Sequence, residues 1–216
     1  MRFRLFLQVF ISVIVTALVA FSANAASKDS PQKIILVFGD SLSAGYGLQP
    51  GEGWVALLQN NIEKQDDYNA YKAVNASISG ETTSGGLARF SEMLASHKPS
   101  IVILELGAND GLRGLPVSDM RSKLNQMILQ AKAAKTKVLL IGMKIPPNYG
   151  QKYSRDFSAS YAILATQHQI KIVPFLLDGV AGKPSLIQDD VLHPLAAAQP
   201  SLIDNVWPTL KKLLND

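Results

Sequence analysis

One serine and one histidine of this chain stand in sequence surroundings that suit nucleophilic catalysis. Ser41 follows an apolar run within the glycine-rich segment 39–47, and His193 follows Asp190 by three residues near the C-terminus. A serine hydroxyl is a poor nucleophile at neutral pH and needs a base, and histidine has the most suitable unperturbed pKa. A carboxylate three residues before the histidine can accept the Nδ1–H and leave Nε2 free for the serine. The spacing therefore predicts Ser41 as a nucleophile, His193 as its base and Asp190 as the residue that orients the base.

The other candidates for the base and the orienting acid fit less well. His97 and His168 end predicted helices, where a cation is favoured, and we expect both at the surface. Asp189 could replace Asp190 geometrically, but the spacing of three residues favours Asp190.

Two further loops offer hydrogen-bond donors to the negative oxygen that forms when a serine attacks an acyl carbon. Asn109 carries a side-chain amide, and Gly80 allows the backbone to approach a ligand closely and to expose its N–H. Each loop taken alone is also typical of an ordinary turn with a capping serine, a turn glycine or an Asx asparagine. The joint occurrence of nucleophile, donors, base and orienting acid favours the catalytic interpretation.

Alternating strands and helices would bring these loops to one edge of a sheet. The alternation predicts a three-layer α/β/α fold with about five mainly parallel strands flanked by helices, in one domain. Ligands bind beyond the carboxyl ends of such strands, which is where the loops lie. The predicted strands are 33–38, 71–76, 101–106, 137–143 and 170–173, and the predicted helices are 54–64, 84–96, 116–134, 153–168 and 199–214.

Composition excludes several classes of protein and of site. The 216 residues are 47% hydrophobic, which is too apolar for a disordered chain. The chain has no cysteine, which excludes disulfides, a thiol nucleophile and thiolate-bound metal, and its three histidines leave little material for a histidine-rich metal site. The formal net charge is only +4, so nothing indicates a nucleic-acid partner.

The N-terminus is typical of a targeting segment. Arg2 and Arg4 precede a mostly apolar run at 5–21, and the Ala-Asn-Ala triplet at 23–25 fits a signal peptidase site. A helix over the run would span about 25 Å, less than the roughly 30 Å hydrocarbon core of a bilayer. We therefore expect residues 1–25 to be a cleaved signal peptide. Residues 26–216 would be one exported domain, periplasmic or secreted, without a stable membrane anchor. An uncleaved, anchored form is the alternative.

At these motifs the chain resembles the SGNH, or GDSL-type, hydrolases. The marker residues of that family are Ser, Gly, Asn and His, in four short blocks. The corresponding segments here are Gly39-Asp40-Ser41-Leu42, Gly80, Gly107-Ala108-Asn109-Asp110 and Asp190-x-x-His193. Their order and spacing extend the resemblance over nearly the whole predicted mature chain. Within the family, the chain is most similar to exported bacterial multifunctional esterases.

The resemblance implies a serine hydrolase with a flavodoxin-like sheet and no metal or cofactor. Ser41 would attack the acyl carbon, His193 would act as base and then as acid, and an oxyanion hole would form from the Ser41 and Gly80 N–H groups and the Asn109 amide. Asp40 is expected to support the Ser41 turn rather than to act in catalysis. The implied substrates are esters and thioesters of medium to long acyl chains, aryl esters and lysophospholipids, and we expect a monomer. The residues expected to line an acyl groove are Gly111, Leu112, Leu115, Pro146 and Tyr149.

Two other functions stay open at this point. A carbohydrate acetyl esterase of the same superfamily would combine a short acyl pocket with a sugar leaving group, although neither Trp54 nor Trp207 lies in a motif loop to form a sugar platform. A non-catalytic exported binding module would predict the loss of at least one motif residue. All five are present, namely Ser41, Gly80, Asn109, Asp190 and His193.

Overall fold

Five strands form one parallel sheet in the computed structural model, which describes residues 32–215. The strands are β1 (Lys33–Gly39), β2 (Tyr71–Asn75), β3 (Ile101–Glu105), β4 (Lys137–Ile141) and β5 (Lys171–Val173). Their order across the sheet is β2-β1-β3-β4-β5, and every neighbouring pair is parallel. This is the flavodoxin-like doubly wound order, in which the topological switch point lies between β1 and β3. Ligands bind at such a point, and the loops after these two strands carry Ser41 and Asn109.

Helices cover the sheet on both faces. In chain order they are α1 (Ser41–Ala44), α2 (Trp54–Glu63), α3 (Thr83–His97), α4 (Ala108–Leu112), α5 (Val117–Ala133), α6 (Gln151–His168) and α7 (Gln199–Asn215). The helix α2 packs against α7, whereas α3 packs against α5 and α5 against α6, so the long helices form two layers. Single 3₁₀ turns lie at Asp66–Tyr68, Pro147–Tyr149 and Ala196–Ala198.

The core is built from the central strands and the apolar faces of the helices. All of β3 is buried, which explains its nearly continuous apolar sequence, because a parallel sheet is covered on both faces. Large side chains such as Phe38, Trp54 and Phe90 are fully buried. Burying one such side chain stabilises the fold by about 1.5–3 kcal/mol. The strand ends that carry the candidate site therefore project from a tightly packed core.

The predicted fold class is confirmed, and so are the ten predicted strands and helices, whose observed ends lie within two residues of the predicted ones. The sequence pattern did not predict α4 or the 3₁₀ turns, because such short elements show no periodicity. The predicted signal peptide at 1–25 lies outside the described residues. Between residues 32 and 215, no helix is both long and apolar enough to cross a membrane.

The expectation that His168 lies at the surface is wrong. Its side chain is buried at the C-terminal end of α6, and its Nε2 lies 2.6 Å from Oδ1 of Asn125 on α5. Burial lowers the pKa of His168, and the positive charge of Lys132 lowers it further. The position at a helix end did not lead to exposure, because α5 packs against α6 there. His97, at the end of α3, is half-buried.

Candidate active site

Ser41, His193 and Asp190 form one hydrogen-bonded chain of side chains. Ser41 is the first residue of α1, and its Oγ lies 2.7 Å from Nε2 of His193. Nδ1 of His193 lies 2.5 Å from Oδ2 of Asp190. The other carboxylate oxygen of Asp190 accepts hydrogen bonds of 2.9 Å from the backbone N–H groups of Leu192 and His193, which holds the turn that carries both residues. The structure brings together the three residues that the sequence spacing selected, in the order that acyl transfer to a serine needs.

The charge of Asp190 is set by its hydrogen bonds. Partial burial raises the pKa of this carboxyl, but hydrogen bonds from the backbone N–H and the ring of His193, and from the Leu192 N–H, outweigh it and bring the pKa to about 2. Asp190 is therefore ionised at neutral pH. An ionised carboxylate beside Nδ1 keeps a proton on that nitrogen and leaves Nε2 as the acceptor for the Ser41 hydroxyl.

Gln188, to which no sequence motif pointed, ties the loop that follows α1 to the loop that carries His193. Its side-chain Nε2 donates to the backbone oxygens of Tyr46, at 2.9 Å, and of Pro194, at 3.2 Å. Its backbone N–H donates to the carbonyl oxygen of His193 at 2.7 Å. The Tyr46 ring also packs on the His193 imidazole, with 4.6 Å between the ring centroids. These contacts hold the imidazole beside the Ser41 turn.

Asp40 organises the turn on which Ser41 stands. Its Oδ1 accepts the Leu42 N–H at 3.1 Å and so caps α1, while its Oδ2 accepts the side-chain amide of Asn109 at 3.2 Å. Burial raises the pKa of Asp40 to about 6, against the opposing effects of the Leu42 and Asn109 hydrogen bonds and of the His193 charge. Asp40 thus links the nucleophile turn to Asn109, which is the arrangement expected of a supporting residue.

A second buried carboxyl, that of Glu105 at the end of β3, lies beneath the same turn. Its Oε2 accepts hydrogen bonds from the Ser43 hydroxyl at 2.7 Å and from the Asp40 N–H at 3.3 Å, whereas its Oε1 has no hydrogen-bond partner among the described residues. Burial, and then the negative charge of Asp40, raises the pKa of Glu105 well above its usual range. Only glycine fits at position 39, because a Cβ there would lie 2.5 Å from Oε2 and 2.8 Å from the backbone oxygen of Glu105. Sequence reasoning missed Glu105, although a charged residue inside the apolar run of β3 was an available signal.

The three expected oxyanion donors border the same cleft. Gly80 has a φ of +80°, in the left-handed region that glycine tolerates. In the described part of the chain, the N–H groups of Ser41 and Gly80 donate to no protein atom. The Asn109 amide differs, because its Nδ2 donates both to Asp40 and, at 3.0 Å, to the backbone oxygen of Glu81. An oxyanion would have to replace one of these two acceptors.

The cleft has a volume of about 390 Å³ and lies at the carboxyl edge of the sheet. Its lining is mostly apolar, with one lysine, Lys144, whose ammonium lies 4.7 Å from the centre of the Phe175 ring. An apolar wall beside a serine suits an acyl chain. Among residues 32–215, no three His, Cys, Asp or Glu side chains are grouped so that they could hold a metal ion. The apolar lining includes Leu112, Met143, Ile145, Pro146, Leu177 and Leu192.

The five residues expected to line an acyl groove divide into two groups. Those that border the cleft are Leu112 and Pro146, and those that do not are Gly111, Leu115 and Tyr149. Gly111 is buried beneath it, where an added Cβ would lie within 2.7 Å of two other side chains. Tyr149 donates from its hydroxyl to the Leu112 carbonyl at 2.9 Å and so braces the cleft wall from outside. Leu115 is exposed.

Known proteins of similar sequence and structure carry the names of ester hydrolases. Residues 37–199 match the GDSL-like Lipase/Acylhydrolase family. Esterase TesA of Pseudomonas aeruginosa is 48% identical over 198 residues, which cover 92% of this chain and 95% of that protein. The thioesterase 1/protease 1/lysophospholipase L1 of Escherichia coli is 39% identical over 198 residues, which cover 92% of this chain and 91% of that protein. A crystal structure of TesA aligns with a TM-score of 0.81 and 49% identity, over 84% of this chain and 99% of that one.

Proposed function

Because the chain belongs to the GDSL-like lipase/acylhydrolase family, we propose that Ser41, His193 and Asp190 are the catalytic triad of an exported serine esterase. The chain is a hydrolase of ester bonds, like its named relatives. The proposed substrates are carboxylic esters and thioesters of medium to long acyl chains, including lysophospholipids. The observation that carries the proposal is the continuous hydrogen-bonded chain from Asp190 through His193 to Ser41, at the border of an apolar cleft.

The first half of the proposed reaction forms an acyl-enzyme. Nε2 of His193 accepts the Ser41 proton while Oγ attacks the acyl carbon, and the carbonyl oxygen becomes an oxyanion. The 2.7 Å between these two atoms is within the range for direct proton transfer. His193 then gives the proton to the leaving alcohol or thiol as its bond to the acyl carbon breaks. Asp190 stays ionised and stabilises the imidazolium in between.

The second half of the reaction returns the free enzyme. His193 takes a proton from water while the water oxygen attacks the acyl carbon of the ester on Ser41. The tetrahedral intermediate then collapses, and His193 gives the proton back to Oγ as the bond between Oγ and the acyl carbon breaks. The products are a carboxylic acid and the enzyme with its triad restored.

Three donors are proposed to hold the oxyanion in both halves, namely the N–H groups of Ser41 and Gly80 and the side-chain amide of Asn109. Such a donor typically stabilises the transition state by about 3–4 kcal/mol. Asn109 would give up one of its present acceptors to do so, and the 3.2 Å hydrogen bond to Asp40 is the longer of the two. Its amide is therefore already held beside the nucleophile turn before substrate binds.

Export is proposed from the N-terminal segment. Residues 1–25 would direct the chain out of the cytoplasm and be removed, so that residues 26–216 act as a monomer in the periplasm or outside the cell. The arginines at 2 and 4, the apolar run at 5–21 and the Ala-Asn-Ala triplet support this assignment. Sequencing the N-terminus of the exported protein should return Ala26. An intact Met1 on a membrane-bound protein would reject the assignment.

A chain-length series of p-nitrophenyl esters, from two to sixteen carbons, tests the proposed activity on the exported protein. We expect hydrolysis that peaks at medium or long chains and falls by at least about 10³-fold in Ser41→Ala, because the nucleophile is gone. Ser91→Ala, at an exposed serine on α3, is the matched control and should keep full activity. A peak at acetate would favour the carbohydrate acetyl esterase. No hydrolysis that depends on Ser41, in a folded sample, would favour the binding module.

A further inference from the structure

The exposed apolar side chains of residues 32–215 are concentrated at one edge of the sheet. Seven of the nine large ones lie in segments that follow the carboxyl ends of the strands, and each of the five strands is followed by at least one. We refer to these seven as the apolar rim. In chain order they are Tyr46, Ile78, Leu115, Tyr149, Val191, Leu192 and Leu195. The other two, Leu129 and Ile163, lie on α5 and α6.

Val191 is the most exposed residue of the rim and has an unfavourable backbone conformation. It is 81% exposed, and its φ of +56° lies in the left-handed region, which a β-branched residue rarely adopts. That conformation costs about 1–2 kcal/mol for an L residue. The other non-glycine residues with positive φ in the described part of the chain are polar, namely Lys98, Lys135 and Gln169. The loop of His193 thus holds an apolar side chain out into solvent at a position where glycine would be less strained.

The cleft opens inside the apolar rim. Tyr46 and Leu192 belong to both the rim and the cleft lining, and Tyr149 braces the cleft wall through the Leu112 carbonyl. A partner that covers the rim therefore also faces the mouth of the cleft. A folded protein in that place would close the mouth. The surface of a lipid aggregate would instead present to it the acyl esters that the proposed function requires.

Two cationic side chains lie at the mouth of the cleft. Lys144 borders the cleft, and the exposed Arg113 donates from Nη2 to the carbonyl oxygen of Gly80 at 3.0 Å. Neither cation has a carboxylate within 4.0 Å among the described residues. Both charges are therefore available to an anionic partner.

The carboxylates near the cleft are engaged within the protein. Asp190 is paired with His193, and Asp40 and Glu105 are buried beneath the nucleophile turn. Asp178 and Asp189 are exposed in the segment after β5, but neither borders the cleft. At the mouth of the cleft, the exposed charged groups without an ion-pair partner among the described residues are therefore the two cations.

We propose that the apolar rim docks on the surface of an anionic lipid aggregate, a micelle or a bilayer, from which the cleft receives its acyl ester. The proposal rests on the proposed esterase function. Val191 and Leu195 insert among the lipids, while Lys144 and Arg113 contact headgroup phosphates. Apolar insertion combined with attraction to anionic headgroups is the usual way in which a protein lies on a membrane rather than spans it.

Vesicle flotation tests the docking without turnover. The probe is the exported protein carrying Ser41→Ala, mixed with vesicles of phosphatidylglycerol or of phosphatidylcholine. We expect about tenfold stronger binding to phosphatidylglycerol, which falls to the phosphatidylcholine level at high salt because the headgroup charges are screened. Adding the neutral changes Val191→Asn and Leu195→Asn should weaken binding by about a further tenfold, because two apolar side chains no longer insert among the lipids. The matched control, Leu129→Asn with Ile163→Asn, changes the two exposed residues outside the rim and should leave binding unchanged.

Three results would overturn the proposal. The first is no vesicle binding, or equal binding to the two lipids. The second is an equal loss of binding in the two double variants. The third is a concentration-dependent dimer in lipid-free solution that the Val191 and Leu195 changes abolish, since a second copy of the chain would then cover the rim.

Separate measurements distinguish a failure of the docking proposal from a failure of the proposed esterase function. Hydrolysis of soluble p-nitrophenyl butyrate reports on the triad alone, and the Val191 and Leu195 changes should leave it within about twofold, because neither side chain borders the cleft. Hydrolysis of lysophosphatidylglycerol micelles should fall about tenfold in the same variant. Hydrolysis of the soluble ester without vesicle binding rejects the docking and keeps the esterase. Vesicle binding without hydrolysis that depends on Ser41 rejects the esterase and keeps the docking surface.

Discussion

The two edges of the parallel sheet are built in different ways. At the amino edge, α3, α5 and α6 return to the next strand through turns of two or three residues, at 98–100, 134–136 and 169–170. Each turn contains one polar residue with positive φ, which ends the helix locally. At the carboxyl edge the connections from a strand to the next long helix are longer, from seven residues at 76–82 to 25 residues at 174–198. All the candidate site residues and the whole apolar rim lie at this second edge.

The connections at the two edges differ because they have different functions. A turn at the amino edge only has to reverse the chain, which a helix cap does with neighbouring residues. The loops at the carboxyl edge must hold polar atoms in fixed positions, and they do so by hydrogen bonds between distant segments. Gln188 bonds to Tyr46 across 142 positions of the chain, and Ser43 bonds to Glu105 across 62. Long-range contacts rather than local propensity therefore determine the geometry of the site.

The largest difference in kcat is expected between variants of two asparagines, one at the site and one away from it. Asn109→Ala removes an oxyanion donor and should lower kcat by about 10²–10³-fold. Asn125→Ala removes the partner of the buried His168, so it should leave kcat unchanged and lower the free energy of unfolding by about 1 kcal/mol. Steady-state kinetics and denaturant unfolding measure the two effects. A comparable loss of kcat in both variants would contradict the proposed role of Asn109 as an oxyanion donor.

Two buried titratable groups, one at each edge of the sheet, should make the free energy of unfolding depend on pH in opposite directions. Glu105 keeps its proton in the folded protein after the unfolded chain has released it near pH 4.5, because its folded pKa is raised. The wild type therefore loses stability as pH rises above that value, by up to about 1.4 kcal/mol per pH unit. Glu105→Gln keeps an acceptor for Ser43 without this loss. Relative to the wild type, its free energy of unfolding should rise as pH increases above about 4.5, as denaturant titrations at several pH values would show.

His168, near the amino edge, has the opposite sign. Burial, and then the charge of Lys132, lowers its folded pKa, so the unfolded chain takes up a proton near pH 6.5 before the folded protein does. The wild type therefore loses stability as pH falls below that value. His168→Gln, whose amide can still donate to Asn125, should remove this loss in the same titrations. Profiles that shift in the same direction for both variants would show that one of the two pKa shifts is misassigned.

The smallest contrast is expected from two left-handed residues, one at each edge. Val191→Gly and Lys135→Gly both relieve about 1–2 kcal/mol of backbone strain in the folded protein. The greater conformational entropy of glycine in the unfolded chain offsets about 0.5–1 kcal/mol of this gain. Each should raise the free energy of unfolding by roughly 0.5–1 kcal/mol. Only Val191→Gly removes a side chain of the apolar rim, so it alone should weaken vesicle binding, by about threefold. Equal weakening by Lys135→Gly would contradict the proposed role of the rim.

The elements of the fold were predictable because local signals determine them, and the loops that meet at the site were predictable from the order of those elements. Apolar runs and helical periodicity depend on neighbouring residues, and the chain shows both clearly. The carboxyl ends of parallel strands meet at one edge, so the loops of Ser41 and Asn109 had to be close. The spacing of Asp190 and His193 fits a single turn, which also is a local property.

The remaining features depend on contacts that no local pattern contains. The burial of His168 follows from the packing of α5 against α6. The position of the Gln188 side chain follows from its hydrogen bond to Tyr46, which is 142 positions away in the chain. The cleft walls at Met143 and Leu177 come from the segments after β4 and β5, where no motif drew attention to them. The expected groove residue Tyr149 instead braces Leu112. These are properties of tertiary packing.

The contact between Ser41 and His193 joins positions 152 residues apart. Closing so long a loop carries an entropic cost that other contacts must offset first, so a contact of this kind completes an assembly rather than starting it. The turn that carries Ser41 can form before the loop that carries His193 docks on it. Until that loop docks, Ser41 has no base. Hydrolytic activity therefore begins only when the C-terminal segment docks, so the last loop to be synthesised acts as the step that activates the enzyme.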